Sequence, residues 1–122
     1  MKYEIVTKNG VKIALVTGNE VVITDAASAL DLMMTIKYET GCSRIAIEKA
    51  CVDEPFFILS TQLAGEILQK FINYQAKLAI YGDYTKYTSK PLKDFIYESN
   101  KGNDFFFVAT QDEAVEKLSL AE

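Results

Sequence analysis

No histidine occurs anywhere in the 122 residues. That absence removes the Ser-His-Asp triad, the Cys-His pair and every imidazole metal ligand at once. An enzyme built on this chain has to move protons with Lys, Tyr, Cys or paired carboxylates, so the reading leans away from an enzyme. Cysteine is scarce: Cys42 and Cys51 fit neither a zinc-ligand nor a CxxC spacing. In a reducing compartment they are expected as buried free thiols. Proline stands only at Pro55 and Pro91, and no repeat, low-complexity tract or linker interrupts the chain. No apolar run approaches the roughly 20 residues that span a bilayer. The opening MKYEIVTKNG is charged and lacks the apolar stretch of a signal peptide, so the expectation is a cytoplasmic protein with no membrane partner. A GxxxxGK(S/T) nucleotide loop is missing too, and no cofactor motif is present.

What remains is a hydrophobic fraction of 49% and a formal net charge of −4. Domains run about 100–150 residues, so residues 1–122 read as one domain able to bury a core without metal or disulfide support. Its acidity argues against DNA or an anionic membrane as the main partner.

Local patterns then divide the chain. Residues 3–7 and 11–17 are apolar, β-branched runs around Asn9-Gly10, a strong hairpin signal because both turn residues tolerate positive φ. Residues 21–23 form a short extension. Thr24 or Asp25 caps a helix whose Ala26, Ala29, Leu30, Met33 and Ile36 or Lys37 recur at helical spacing, and Gly41 ends it. Residues 44–48 read as a strand, and residues 49–60 as a loop held down by Phe56, Phe57 and Leu59. Ser60-Thr61 opens a second helix with an apolar stripe of Leu63, Ala64, Ile67, Leu68 and Phe71. Gly65 costs that helix about 1 kcal/mol relative to Ala, which suggests close packing against a neighbour. Residues 77–81 are the next strand, and Pro91 lies in the first turn of a third helix with Leu92, Phe95, Ile96 and Ser99 inward. Residues 104–109 (DFFFVA) are a last strand, apolar on both faces and therefore central or covered. Thr110 to Glu113 form a capping box for a final helix carrying Ala114, Val115 and Leu118.

The order β-β-α-β-α-β-α-β-α predicts an α/β fold: an N-terminal hairpin, then β-α repeats building a mixed, mostly parallel sheet covered by helices. Right-handed crossovers bring the ends of the last three strands, and the helix starts that follow them, to one edge. Ser60, Thr61, Asp83, Thr85, Lys86, Tyr87, Thr88, Ser89 and Lys90 are the candidate ligand- or partner-binding residues there. Their hydroxyls read in two ways. Capping and turn formation is one; an anion or phosphate site with Lys86 and Lys90 as counter-charges is the other. Tyr81, Tyr84, Tyr87 and Tyr97 alternate with Lys86, Lys90 and Lys93 in the manner of a weak nucleic-acid surface. Tyrosine equally suits protein interfaces, and the overall acidity favours a protein and no nucleic acid. Asp83 is expected to pair with Lys86 at the surface. Glu48, Asp53 and Glu54 read as solvated loop acids, with a carboxylate pair beside Asp83 that binds a divalent cation as the alternative.

The element order, with a hydroxyl pair ahead of the helix after the third strand, resembles the STAS fold of the anti-sigma factor antagonists. In that family a Ser or Thr in a motif close to Asp-Ser-Ser-Gly-Leu-Gly is phosphorylated by a partner kinase. The matching stretch here is Leu59-Ser60-Thr61-Gln62-Leu63-Ala64, in which Leu59 replaces the Asp and Gln62 and Ala64 replace the glycines. Three further segments, LAGEILQKFINY, KLAIYGDYTKYTSK and LKDFIYESNKG, resemble a DUF4180-type domain of unknown function found in small bacterial proteins. That resemblance implies a bacterial cytoplasmic single domain and carries no mechanism.

The expected function is thus a non-enzymatic, STAS-like regulatory or protein-binding module, acting on another protein or through self-association. The alternative is a small-molecule or anion-binding domain, at most a weak enzyme.

Overall fold

In a computed structural model, which describes residues 2–122, Asn9 and Gly10 adopt φ of 54° and 76°. Two consecutive left-handed residues are what a type I′ hairpin turn requires. They fold strand β1 (Lys2–Lys8) back on β2 (Val11–Thr17), antiparallel, with Lys8 opposite Val11. Helix α1 (Ala26–Thr40) follows. Asp25 is its cap: the Asp25 carboxylate accepts from the Ser28 N–H at 2.8 Å, and the Ser28 hydroxyl accepts from the Asp25 N–H at 3.0 Å. Gly41 ends it at φ 78°, donating to the Lys37 carbonyl.

Strand β3 (Arg44–Glu48), helix α2 (Leu63–Asn73), strand β4 (Lys77–Tyr81), helix α3 (Lys90–Asn100), strand β5 (Phe105–Val108) and helix α4 (Gln111–Leu120) complete the chain. The sheet order is β1-β2-β3-β4-β5, and β2 to β5 are mutually parallel. Each crossover therefore steps the same way across the sheet. Since such crossovers are right-handed, α1, α2 and α3 all fall on one face.

Side-chain alternation follows from that placement. Ala14, Val16, Ile45, Ile47, Leu78, Ile80 and Phe107 point into the core beneath the three crossover helices. Ile13, Leu15, Ala46, Ala79, Phe106 and Val108 point the other way, and α4 covers them with Ala114 and Leu118. Arg44, at the start of β3, anchors the far end of α4 by donating to the Leu118 carbonyl and, at 2.9 Å, to the Ala121 carbonyl. Both cysteines are buried free thiols.

Several expectations need correction. Of the two readings of residues 104–109, central or covered, the second holds: β5 is an edge strand, apolar on both faces because helices lie on both. Residues 49–61 are not plain loop but three short 3-10 segments, Lys49–Cys51, Glu54–Phe57 and Leu59–Thr61. Phe56 and Phe57 bury themselves as expected. Ser60 and Thr61 do not open α2: Gln62, at φ 65°, separates their 3-10 turn from the helix and caps it without a side-chain bond. No other element packs closely on Gly65, since a Cβ there would meet nothing beyond its own helix and chain neighbours within 4 Å. At α4 only half of the predicted capping box forms. The Thr110 hydroxyl accepts from the Glu113 N–H, while the Glu113 carboxylate takes the Thr110 hydroxyl and not its backbone.

Candidate functional site

Because β2 to β5 run parallel, their carboxyl ends share one edge, where open α/β sheets place their ligand crevices. Residues 49–62 and 82–89 emerge there side by side. What joins them is Glu54. Its carboxylate accepts from Lys86 Nζ at 3.0 Å and from the Tyr87 hydroxyl at 2.9 Å, and Lys49 Nζ lies 3.4 Å away.

Lys49 directly follows β3, and its side chain is only 14% exposed. Its ammonium stands 5.0 Å from the Phe57 ring centre and 4.8 Å from that of Tyr87, a cation–π geometry over both. The two rings stack at 5.3 Å. Tyr84 completes the aromatic group, 6.0 Å from Phe57, and donates its hydroxyl to the Ile80 carbonyl at 2.7 Å. The stem of Lys49 fits only because residue 82 is glycine: a Cβ there would lie 2.7 Å from the Lys49 Cβ.

Burial is the largest influence on the Glu54 carboxyl and pushes its pKa up. The hydrogen bonds from Lys86 and Tyr87 and the charge of Lys49 together outweigh it and leave the pKa below the ordinary value. Burial, then the Glu54 hydrogen bond and charge, raise the Tyr87 phenol to about 12. Burial likewise raises Tyr84, and raises Tyr81 to about 12. Asp83 is held low by the hydroxyl and N–H of Thr85.

The nine candidate residues part company in three dimensions. Ser60, Lys86, Tyr87, Thr88 and Ser89 line one hollow of about 390 Å³, whose apolar wall includes Phe57, Ile58, Leu59, Pro91 and Leu92. Ser89 also caps α3, accepting from the Leu92 N–H at 3.4 Å. Asp83 and Thr85 belong to a neighbouring groove of about 680 Å³ along β5. There Asp83 closes a turn by accepting from the Thr85 N–H at 2.8 Å. It does not pair with Lys86, which reaches Glu54 instead. Thr61 turns into its own loop, its hydroxyl 2.8 Å from both the Pro55 and Ile58 carbonyls. Lys90 pairs along its helix with Asp94 at 2.7 Å.

Capping and turn formation therefore account for Thr61, Asp83, Thr85 and Ser89, whereas Ser60 and Thr88 line the hollow and Lys86 lines it while bonded to Glu54. Glu48, Glu54 and Asp83 do not gather: no group of three or more acids or thiols among the described residues is placed to hold a metal ion. Sequence reasoning passed over Lys49 and read Glu54 only as a solvated loop acid or one of a carboxylate pair. Lys49 left one signal, a lysine leaving a strand whose parallel neighbour ends in glycine; Glu54 left none, because its partners lie 32 and 33 residues away.

No helix among the described residues is long and apolar enough to cross a membrane. A family model described as a domain of unknown function, DUF4180, matches residues 8–118. No curated protein and no solved structure matches the chain.

Proposed function

The chain belongs to the DUF4180 family, a domain of unknown function, and from that premise we propose that it is a non-enzymatic, STAS-like regulatory module of the cytoplasm that docks another protein at the hollow between residues 57–60 and 86–92. The observation that carries this reading is the composition of the hollow. Apolar walls from Phe57, Leu59 and Leu92 adjoin the Ser60 and Thr88 hydroxyls and the ammonium of Lys86, and Ile58 stands 52% exposed at the same place. Such a surface fits an apolar side chain of a partner flanked by an acidic group, since Lys86, itself 60% exposed, can turn to meet the acid. Tyr87 and Phe57 hold the wall rigid, so little ordering entropy is lost on docking.

The electrostatics support binding over acid–base chemistry. A general acid or base works best with a pKa near the operating pH. Along this edge the resolved shifts lead away from neutrality, downward at Glu54 and Asp83, upward at Tyr81, Tyr84, Tyr87 and Cys51. The element order and the hydroxyls before α2 support the STAS-like part of the reading.

The test is quantitative capture of partners on immobilised protein, comparing wild type with Ile58→Asp and with Ser60→Glu combined with Lys86→Ala. A partner specific to the hollow is retained by wild type and lost by both variants, while both keep the wild-type circular dichroism. An unchanged captured set in both would sink the proposal. The second reading, an anion in the same hollow, rests on Lys86 beside Ser60, Thr88 and the α3 cap. It predicts a raised melting temperature with phosphorylated metabolites that Lys86→Ala abolishes.

A further inference from the structure

The four residues of β5, FFFV, form an uncharged edge strand. A strand of that composition at an open edge is a template for pairing with another chain. Its inward backbone groups are already engaged: the Asp104 carbonyl accepts from the Leu78 N–H and the Val108 carbonyl from the Gly82 N–H, both at 3.0 Å. Alternation along the strand then turns the groups of Phe105, Phe107 and Ala109 outward. At Phe107 both outward groups meet a single side chain. The Phe107 N–H donates to Asn100 Oδ1 at 2.7 Å, and its carbonyl accepts from Asn100 Nδ2 at 3.0 Å.

Two residues exchanging both bonds is the bonded pair of an antiparallel ladder. The Asn100 amide, reaching back from the last turn of α3, thus stands where the backbone of an added antiparallel strand would stand. We infer that Asn100 is an edge lock, which keeps β5 of one copy from pairing antiparallel with β5 of a second copy.

The second copy is the occupant because the pairing is self-complementary. A two-fold axis at Phe107 lets two Phe107 residues exchange the same two bonds that Asn100 now makes. It sets the outward groups of Phe105 against those of Ala109 in the other chain, and no like charges face each other within the strands. The groove of about 680 Å³ that touches Asn100 also reaches Phe107, Val108 and Ala109. The opposite edge needs no such device: β1 carries Lys2, Glu4 and Lys8, and charged edge strands resist pairing.

The experiment compares the molar mass of wild type, Asn100→Ala and Asn100→Ala/Ala109→Pro by light scattering across a wide concentration range. Hydrogen exchange of the Phe107 amide is followed in parallel. Asn100→Ala is expected to double in mass as concentration rises, with the Phe107 amide protected only in the heavier species. Ala109→Pro removes an outward N–H and is expected to return the double variant to wild-type mass. If Asn100→Ala keeps the wild-type mass at every concentration while its Phe107 amide exchanges freely, or if Ala109→Pro fails to reverse a gain in mass, the lock is disproved. Should Asn100→Ala not fold, Asn100→Ser, uncharged and too short to make both bonds to Phe107, is measured with the same two outcomes.

Discussion

Glu54 accepts from Lys86 and Tyr87 and faces Lys49 across 3.4 Å, three cationic or hydroxyl donors on one side chain. A carboxyl whose folded pKa lies below its unfolded value adds stability above the unfolded pKa and loses it as pH falls through the folded one. Wild type should therefore lose stability on the acid side, beginning near the ordinary glutamate value of 4.5. Glu54→Gln should lower the urea midpoint at neutral pH and flatten that acid limb, with the two curves converging at low pH. Because the Glu54 side chain is 54% exposed, solvent screening keeps the neutral-pH difference small, within about 1 kcal/mol. This residue also measures what was legible in the sequence. Loop acids and loop lysines were visible as types, and Lys86 was paired in expectation with nearby Asp83. Asp83 instead finds the Thr85 N–H two residues on, a local bond that forms with almost no loop closure, and Lys86 is left to cross to Glu54. Local competition for the carboxylate decided the pairing.

Among the elements, α4 depends most on a contact distant in sequence. Its last carbonyls would be orphaned at the helix end, and Arg44, the chain's single arginine, satisfies those of Leu118 and Ala121 from 74 and 77 residues away. A cation at a helix C-terminus also complements the macrodipole. Arg44→Ala should cost about 1–3 kcal/mol, the range for losing a charged hydrogen-bond partner. The loss is read in urea unfolding, and amide exchange should speed up first in the last turn of α4. Local bonds make caps legible in kind: the α1 cap narrows to Thr24 or Asp25, and capping is one of two readings of the Ser89 hydroxyl, because the Asp25–Ser28 and Ser89–Leu92 bonds each span three residues. The start of α2 was misjudged because Gln62, not an obvious left-handed residue, takes φ 65° there. Once it does, the Thr61 hydroxyl is shared between the preceding turn, through the Pro55 and Ile58 carbonyls, and the start of α2, where it accepts from the Leu63 N–H at 3.2 Å.

For the molecule as a whole, the decisive fact is that three helices share one face and a single helix covers the other. Leu118, on the inner side of α4, is fully buried against the face that carries Ile13, Leu15, Ala46 and Ala79. Leu118→Ala should cost about 2–5 kcal/mol through lost transfer energy and the cavity left behind, measured by urea unfolding. If stability changed by far less, α4 would not be the cover that the second core requires. The sequence by itself determined the element order, the Asn9-Gly10 turn, a cap for α1 at Thr24 or Asp25 and the apolar stripes of α1 and α2. Each rests on periodicity, capping or turn chemistry acting within a few residues. Tertiary structure alone decided that β5 lies at the edge, that Asn100 covers it, that Lys49 lies over Phe57 and Tyr87, and that Ser60 meets Lys86 across a hollow while Thr61 turns away. Those outcomes depend on which strands become neighbours and on what a long side chain reaches once they have, and no local pattern encodes either.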